Sequence, residues 1–135
     1  MAVLTFDAAI IIQEDNPDIL IQEAEQIGAR LAGAKLANSQ LRNIYSTVKQ
    51  VQTTGRFAEA ANKRKIKLLI PKLQYLSARE PRLTELSQVL TACIRAVSDE
   101  THFTRFAEFF EAIVAYHYAV SKERASGAPQ SRRTN

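Results

Sequence analysis

Apolar residues recur three and four positions apart along most of the chain instead of alternating, which predicts helices and argues against strands. The first such pattern covers residues 16–33, where Leu20, Ala24, Ile27 and Leu31 line one face. Asn16 offers a capping side chain, Pro17 suits the first helical position, and Asp18 lies near the positive end of the helix dipole. A second helix is predicted over residues 38–55, with Leu41, Ile44, Tyr45, Val48 and Val51 as its buried stripe and Gly55 as its stop. Over residues 57–79 the period of Ile66, Leu69, Ile70, Leu73 and Leu76 runs straight through Pro71. A proline there lacks one N–H and clashes with the preceding turn, so a kink or a break is expected. Pro81 opens a fourth helix carrying Leu83, Leu86, Val89, Leu90, Cys93, Ile94 and Val97 and ending near Ser98. The last, over residues 101–124, sets Phe103, Phe106, Phe110, Ile113, His117 and Val120 on one face, with Thr104, Glu108, Glu111, Tyr118 and Lys122 on the other.

These patterns predict an all-α protein, a compact bundle of about five helices forming a single domain over residues 1–125. A chain of 135 residues has room for one core. Residues 1–15 read as a flexible N-terminal arm, in which positions 8–12 fit either a short helix or an extended segment. The closing SGAPQSRRTN, residues 126–135, has nothing to bury and reads as a disordered tail. No apolar run is long enough to cross a membrane, the N-terminal stretch lacks the basic start of a secretory signal, and the lone Cys93 has no partner for a disulfide. A cytoplasmic location is expected.

Charge changes the picture, because the net +4 is unevenly spread. Between positions 35 and 82 lie eleven basic residues, opposed only by Glu59 and Glu80, giving a local +9. The rest of the chain has seven basic against twelve acidic residues. Lys35, Arg42, Lys49, Arg56 and Lys63 fall seven apart, and Lys72 and Arg79 repeat the interval. Seven residues is close to two helical turns, so Arg42 and Lys49 share a face with Ser46 and Thr53, opposite the apolar stripe. Such a ladder suits a phosphate chain: the cations neutralise it and release counterions, and hydroxyls can donate to phosphate oxygens. Exposed faces are often charged without binding anything, but they normally mix signs, and this one does not. The candidate nucleic-acid contacts are Arg42, Lys49, Lys63, Arg64, Lys67, Lys72 and Arg79. Without zinc-finger spacing, a basic zipper or another base-reading motif, the belt favours backbone contact over sequence readout.

Chemistry is hard to find. The chain has no phosphate loop, dinucleotide fingerprint or nucleophile elbow. His102 and His117 have no metal-ligand spacing, and His117 falls on an apolar face where packing is its expected role. Glu108 and Glu111 lie on a solvent-facing or partner-facing side, without a pocket that would make them an acid/base pair. No catalytic residue, metal or cofactor is expected. The dense aromatics of the last helix read as core, and only Tyr45 and Tyr75 lie close enough to the belt for base stacking.

Three segments, KLANSQLRNIYSTVKQV from Lys35, LLIPKLQYLSARE from Leu68 and FAEFFEAIVAYHYA from Phe106, together resemble the helical Csm-family small subunit of type III-A CRISPR effector complexes. The likeness spans about residues 27–118. It implies a five-helix protein that stacks in several copies as the inner filament of a ribonucleoprotein, beside other subunits that hold the CRISPR guide RNA; because stacking repeats a heterologous contact, the isolated chain is expected to self-associate, a dimer being one such form. Its basic face would run along guide RNA and target RNA, with cleavage left to other subunits. Within the matched motifs, Arg42, Lys72 and Arg79 take the RNA-facing positions and Glu111 an architectural one. Lys49, Lys63, Arg64 and Lys67 rest on charge alone. Two other readings of the belt stay open: a helical DNA-binding protein, and an adaptor for an acidic protein partner.

Overall fold

The computed structural model describes residues 6–126, and these form seven α-helices with no strand among them. They are α1 (Ala8–Ile12), α2 (Pro17–Gly33), α3 (Asn38–Thr54), α4 (Ala60–Lys67), α5 (Leu69–Arg79), α6 (Thr84–Ala96) and α7 (Glu100–Ser126), with a single 3-10 turn, Pro81–Leu83, leading into α6. The all-α reading holds. Residues 1–5 of the expected arm and 127–135 of the expected tail lie outside the described residues.

Two differences from the five-helix expectation have physical causes. Of the two readings of residues 8–12, the helix is the one adopted. Ile11 and Ile12 are buried, Phe6 stacks on Phe109 at 5.7 Å, and the Arg105 guanidinium donates to the Ile12 carbonyl at the open end of α1 (3.1 Å). The second difference is the break in the 57–79 segment. It falls at Leu68, between α4 and α5, and Pro71 becomes the third residue of α5. Pro71 could not have donated to the Lys67 carbonyl four residues back, and its ring would have met that oxygen. The helix therefore ends at the residue whose carbonyl the proline excludes.

Helix α7 is the centre of the molecule. Phe103, Phe106, Ala107, Phe109, Phe110 and Ile113 are all buried, a wider arc than the one-faced stripe read from the sequence, because Phe6, just before α1, stacks on Phe109 while α1, α2 and α3 pack along the helix. Phe103, Phe106 and Phe110 run as a tilted row with 6.3 Å between neighbouring rings, extended by Phe57 stacking on Phe103 at 5.2 Å and Tyr45 meeting Phe110 edge-on at 5.1 Å. His117 is fully buried, and its Nε2 lies 2.8 Å from the Leu36 carbonyl, a hydrogen bond that fits the packing role expected of it.

α2 lies against α7 at backbone distance. A Cβ on Gly28 would come within 2.8 Å of the Tyr116 Cβ and 2.9 Å of the His117 backbone nitrogen. Asn16 caps α2 as expected, its Oδ1 accepting from the Ile19 N–H at 3.1 Å. The far end closes with a Schellman arrangement: Leu36 N–H donates to the Leu31 carbonyl (3.1 Å) and Lys35 N–H to the Ala32 carbonyl (2.9 Å). Its left-handed residue is Lys35, at φ 65°, where glycine is the usual occupant. Cys93 is sealed in the core, and burial pushes its thiol well above the ordinary range.

Three substitutions test α2 and its end. Gly28→Ala gains helix propensity but forces α2 off α7, and should lose about 1–3 kcal/mol in urea unfolding. Gly33→Ala in the same helix meets only the end of the Arg124 side chain at 3.7 Å and should stay within about 0.5 kcal/mol of wild type. Lys35→Gly relieves the left-handed strain and should raise stability by about 1 kcal/mol in the same assay.

Candidate nucleic-acid interface

The seven candidate cations are divided among three consecutive helices, α3 packing on α4 and α4 on α5. α3 buries Leu41, Ile44, Val48 and Val51 and turns Arg42 and Lys49 outward, as their spacing predicted. α4 buries only Asn62 and Ile66, so Lys63, Arg64 and Lys67, with Lys65 between them, occupy the rest of its circumference. α5 buries Leu69 and Leu73 and exposes Lys72 and Arg79. The interval of seven does not make one continuous ladder. Lys35 sits in the loop before α3 and Arg56 in the loop after it, so only Arg42 with Lys49, and Lys72 with Arg79, share a helix at that spacing.

The α3–α4 loop fixes where the α4 cluster stands. Phe57 anchors it in the core, the Glu100 carboxylate accepts from the Ala58 N–H at 3.2 Å, and the buried Asn62 amide donates to the Arg56 carbonyl at 2.9 Å and to Glu59 at 3.2 Å. Gly55 leaves room for that amide, since a Cβ there would come within 2.7 Å of it. Three lysines and an arginine in eight residues repel one another, although Arg64, Lys65 and Lys67 complement the negative end of the α4 dipole.

Few carboxylates oppose the belt. Arg42, Lys49, Lys63, Arg64, Lys67 and Lys72 make no ion pair or side-chain hydrogen bond among the described residues, and Arg79 bonds only to the neutral Tyr75 hydroxyl, at 2.9 Å. Arg82 is different. Its guanidinium grips Glu80 at 2.7 Å and donates to the Lys35 carbonyl at 3.1 Å, joining the turn before α6 to the strained loop after α2. It works for the fold.

The hydroxyls expected between the cations are committed elsewhere. Ser46 donates to the Asn43 carbonyl (2.7 Å) and Thr53 to the Lys49 carbonyl (3.0 Å), a common satisfaction of hydroxyls within a helix. What α3 offers a phosphate is its cations. Of the two tyrosines near the belt, Tyr45 packs on Phe110, and burial, with the Glu111 carboxylate behind it, pushes its phenol upward. Tyr75 is 58% exposed. The two differ as their helical positions do: Tyr45 falls on the apolar stripe of α3, which α7 covers, and Tyr75 lies off the stripe of α5.

Among the described residues no three His, Cys, Asp or Glu side chains gather as a metal site, and no helix is long and apolar enough to cross a membrane. The Csm2 Type III-A family profile matches residues 14–123, most of the chain. The chain belongs to the Csm2 type III-A family. It is thereby the small, structural subunit of a type III-A CRISPR effector complex, which assembles with other subunits. Neither a curated protein nor a solved structure matches the chain. The Csm2 match takes in every helix from α2 to α6 and nearly all of α7, and so all seven candidate cations.

The Glu80–Arg82 clasp predicts a pH dependence. Hydrogen bonds from the Arg82 side chain and backbone hold the Glu80 carboxyl at about 2, against its usual 4.5. A lowered folded-state value means the contribution is complete above the usual range and lost as pH falls from about 4.5 toward 2. The melting-temperature gap between wild type and Glu80→Gln should therefore narrow steadily from pH 5 to pH 2.

Proposed function

We propose that the chain is a non-catalytic, RNA-binding subunit that stacks in several copies as an inner filament along the guide RNA and target RNA of a cytoplasmic type III-A complex. The exposed cations of α3, α4 and α5 hold the phosphate backbone without reading its sequence. One observation carries this reading: in a member of this family, six exposed cations on three adjoining helices have no partner among the described residues, and a seventh is bonded there only to a neutral hydroxyl. Unpaired charge of one sign strains a compact fold unless a counter-charge arrives. RNA supplies it as a regular chain of phosphates, and displaced counterions add a salt-dependent driving force.

A structural subunit needs little from each contact. Copies held side by side present their cations to one strand at high effective concentration, so modest affinity per subunit sums along the filament. Stacking repeats one heterologous contact, which implies self-association of the isolated chain. A chain that stays monomeric at high concentration in sedimentation would count against the filament.

Binding of single-stranded RNA should weaken steeply with added salt. Arg42→Ala combined with Lys72→Ala should lower affinity equally for unrelated sequences and reduce the log–log salt slope by about 1.4, on the basis of roughly 0.7 per single-strand phosphate contact. Fluorescence anisotropy across a salt series measures both. Salt-indifferent binding would sink the proposal, and preference for duplex DNA in competition would favour a helical DNA-binding protein instead.

A further inference from the structure

One face of α5 is neither a plain cationic surface nor a core stripe. Lys72, Tyr75 and Arg79 are spaced by three and four residues, which at 100° per residue places them within about 60° of one another around the helix, and Leu68 precedes them at its cap. All four are exposed, Leu68 by 52% and Tyr75 by 58%. Among the described residues no other ring packs on Tyr75, and its hydroxyl accepts from Arg79. The Arg79 guanidinium lies over the ring, its carbon 5.7 Å from the centroid, so the arginine takes one face and the exposed ring has the other to offer. The nearest carboxylate along this segment, Glu80, is occupied by Arg82.

We propose that Tyr75 is a stacking platform for an unpaired nucleobase of the bound RNA, with Lys72 and Arg79 holding phosphates on either side. This rests on the RNA reading above and adds to it a contact with a base, where the other candidates touch only backbone. The chemistry selects the occupant. Cations one turn before and after the ring draw a polyanion, and an exposed aromatic face gives a flat π surface something to cover. A peptide partner would need acidic residues and an apolar side chain at matched spacing, whereas every nucleotide carries both a phosphate and a π-face. Stacking is indifferent to base identity, consistent with a subunit that must accept any guide or target. Tyr45 cannot serve, since it is packed edge-on against Phe110.

The chain contains no tryptophan, so Tyr75→Trp creates a lone fluorescent reporter in the full-length protein. Adding oligouridylate should quench it, while an abasic ribose-phosphate oligomer of equal length should bind without quenching. Tyr75→Ala should weaken oligouridylate binding roughly tenfold, leave the salt slope unchanged, and abolish the preference over the abasic oligomer. Lys72→Ala should do the reverse, lowering the slope and keeping the preference. An unquenched tryptophan in a protein that still binds RNA with a steep salt slope overturns the stacking proposal and leaves the cation reading standing. No binding of either oligomer by wild type overturns both. Tryptophan emission that follows protein concentration alone, without RNA, marks Tyr75 as a contact between copies and overturns stacking.

Discussion

The approach of α2 to α7 at Gly28 is the constraint on which the rest of the molecule depends. With no side chain between them, the two backbones meet at a distance that a single methyl would prohibit. That closeness lets Ile27 and Leu31 seal one flank of α7 and brings the loop after α2 near enough for the Leu36 carbonyl to meet His117. Phe6, leading into α1, closes another flank over Phe109, and Tyr45 of α3 a third over Phe110. A helix enclosed on so many sides leaves little room for charge near the axis of the fold. Polar chemistry is displaced to the helices that α7 touches on one side or scarcely at all.

That displacement explains where the cations lie. α3 and α5 each bury one stripe and present the opposite one, and α4 buries two side chains and presents nearly everything else. Carboxylates that come close have other duties: Glu80 holds Arg82, Glu59 accepts from Asn62, and Glu100 caps the Ala58 N–H. The belt stays positive because its acids are used in building the loops that position it. On the proposed reading stability and RNA binding are coupled in this way, since a carboxylate released to neutralise a lysine would loosen a loop.

Much of this could be read from the sequence, and the parts that could not share a cause. The Asn16 cap, the α3 stripe and the fourth helix follow from periodicity and local chemistry, which depend on residues within one or two turns. The helix at positions 8–12 was ambiguous because its order comes from α6 and α7, more than eighty residues away: Gln13 donates to the Ala96 carbonyl and Arg105 to that of Ile12. Gly28 looked like any glycine within a helix, since only its neighbour across the interface gives it meaning. The seven-residue interval among the cations was real in the sequence yet crossed two loops, so it overstated how many share a face. Charge composition located the belt, and Tyr45 on its apolar stripe was already set apart from Tyr75, which lies off one.

Pro71 then divides the belt into two kinds of surface. α4, at eight residues, is shorter than a helix that persists alone in water, and its like charges weaken it further. It stands because Phe57, Glu100 and Asn62 pin the loop at its start and because its last-turn cations complement its own dipole. Were the helix to continue past Leu68, the next cations would extend the same crowded array. The proline excludes the Lys67 carbonyl from the ladder and starts a new helix, in which Lys72 and Arg79 are spaced two turns apart with Tyr75 between them. The chain thus passes from a dense cluster suited to charge alone to a sparser stripe with an open ring. A strand of RNA carries both features along its length, phosphates throughout and bases wherever they are unpaired. Under the RNA-binding proposal, the break in the helix is the step by which one segment of sequence comes to address each of them.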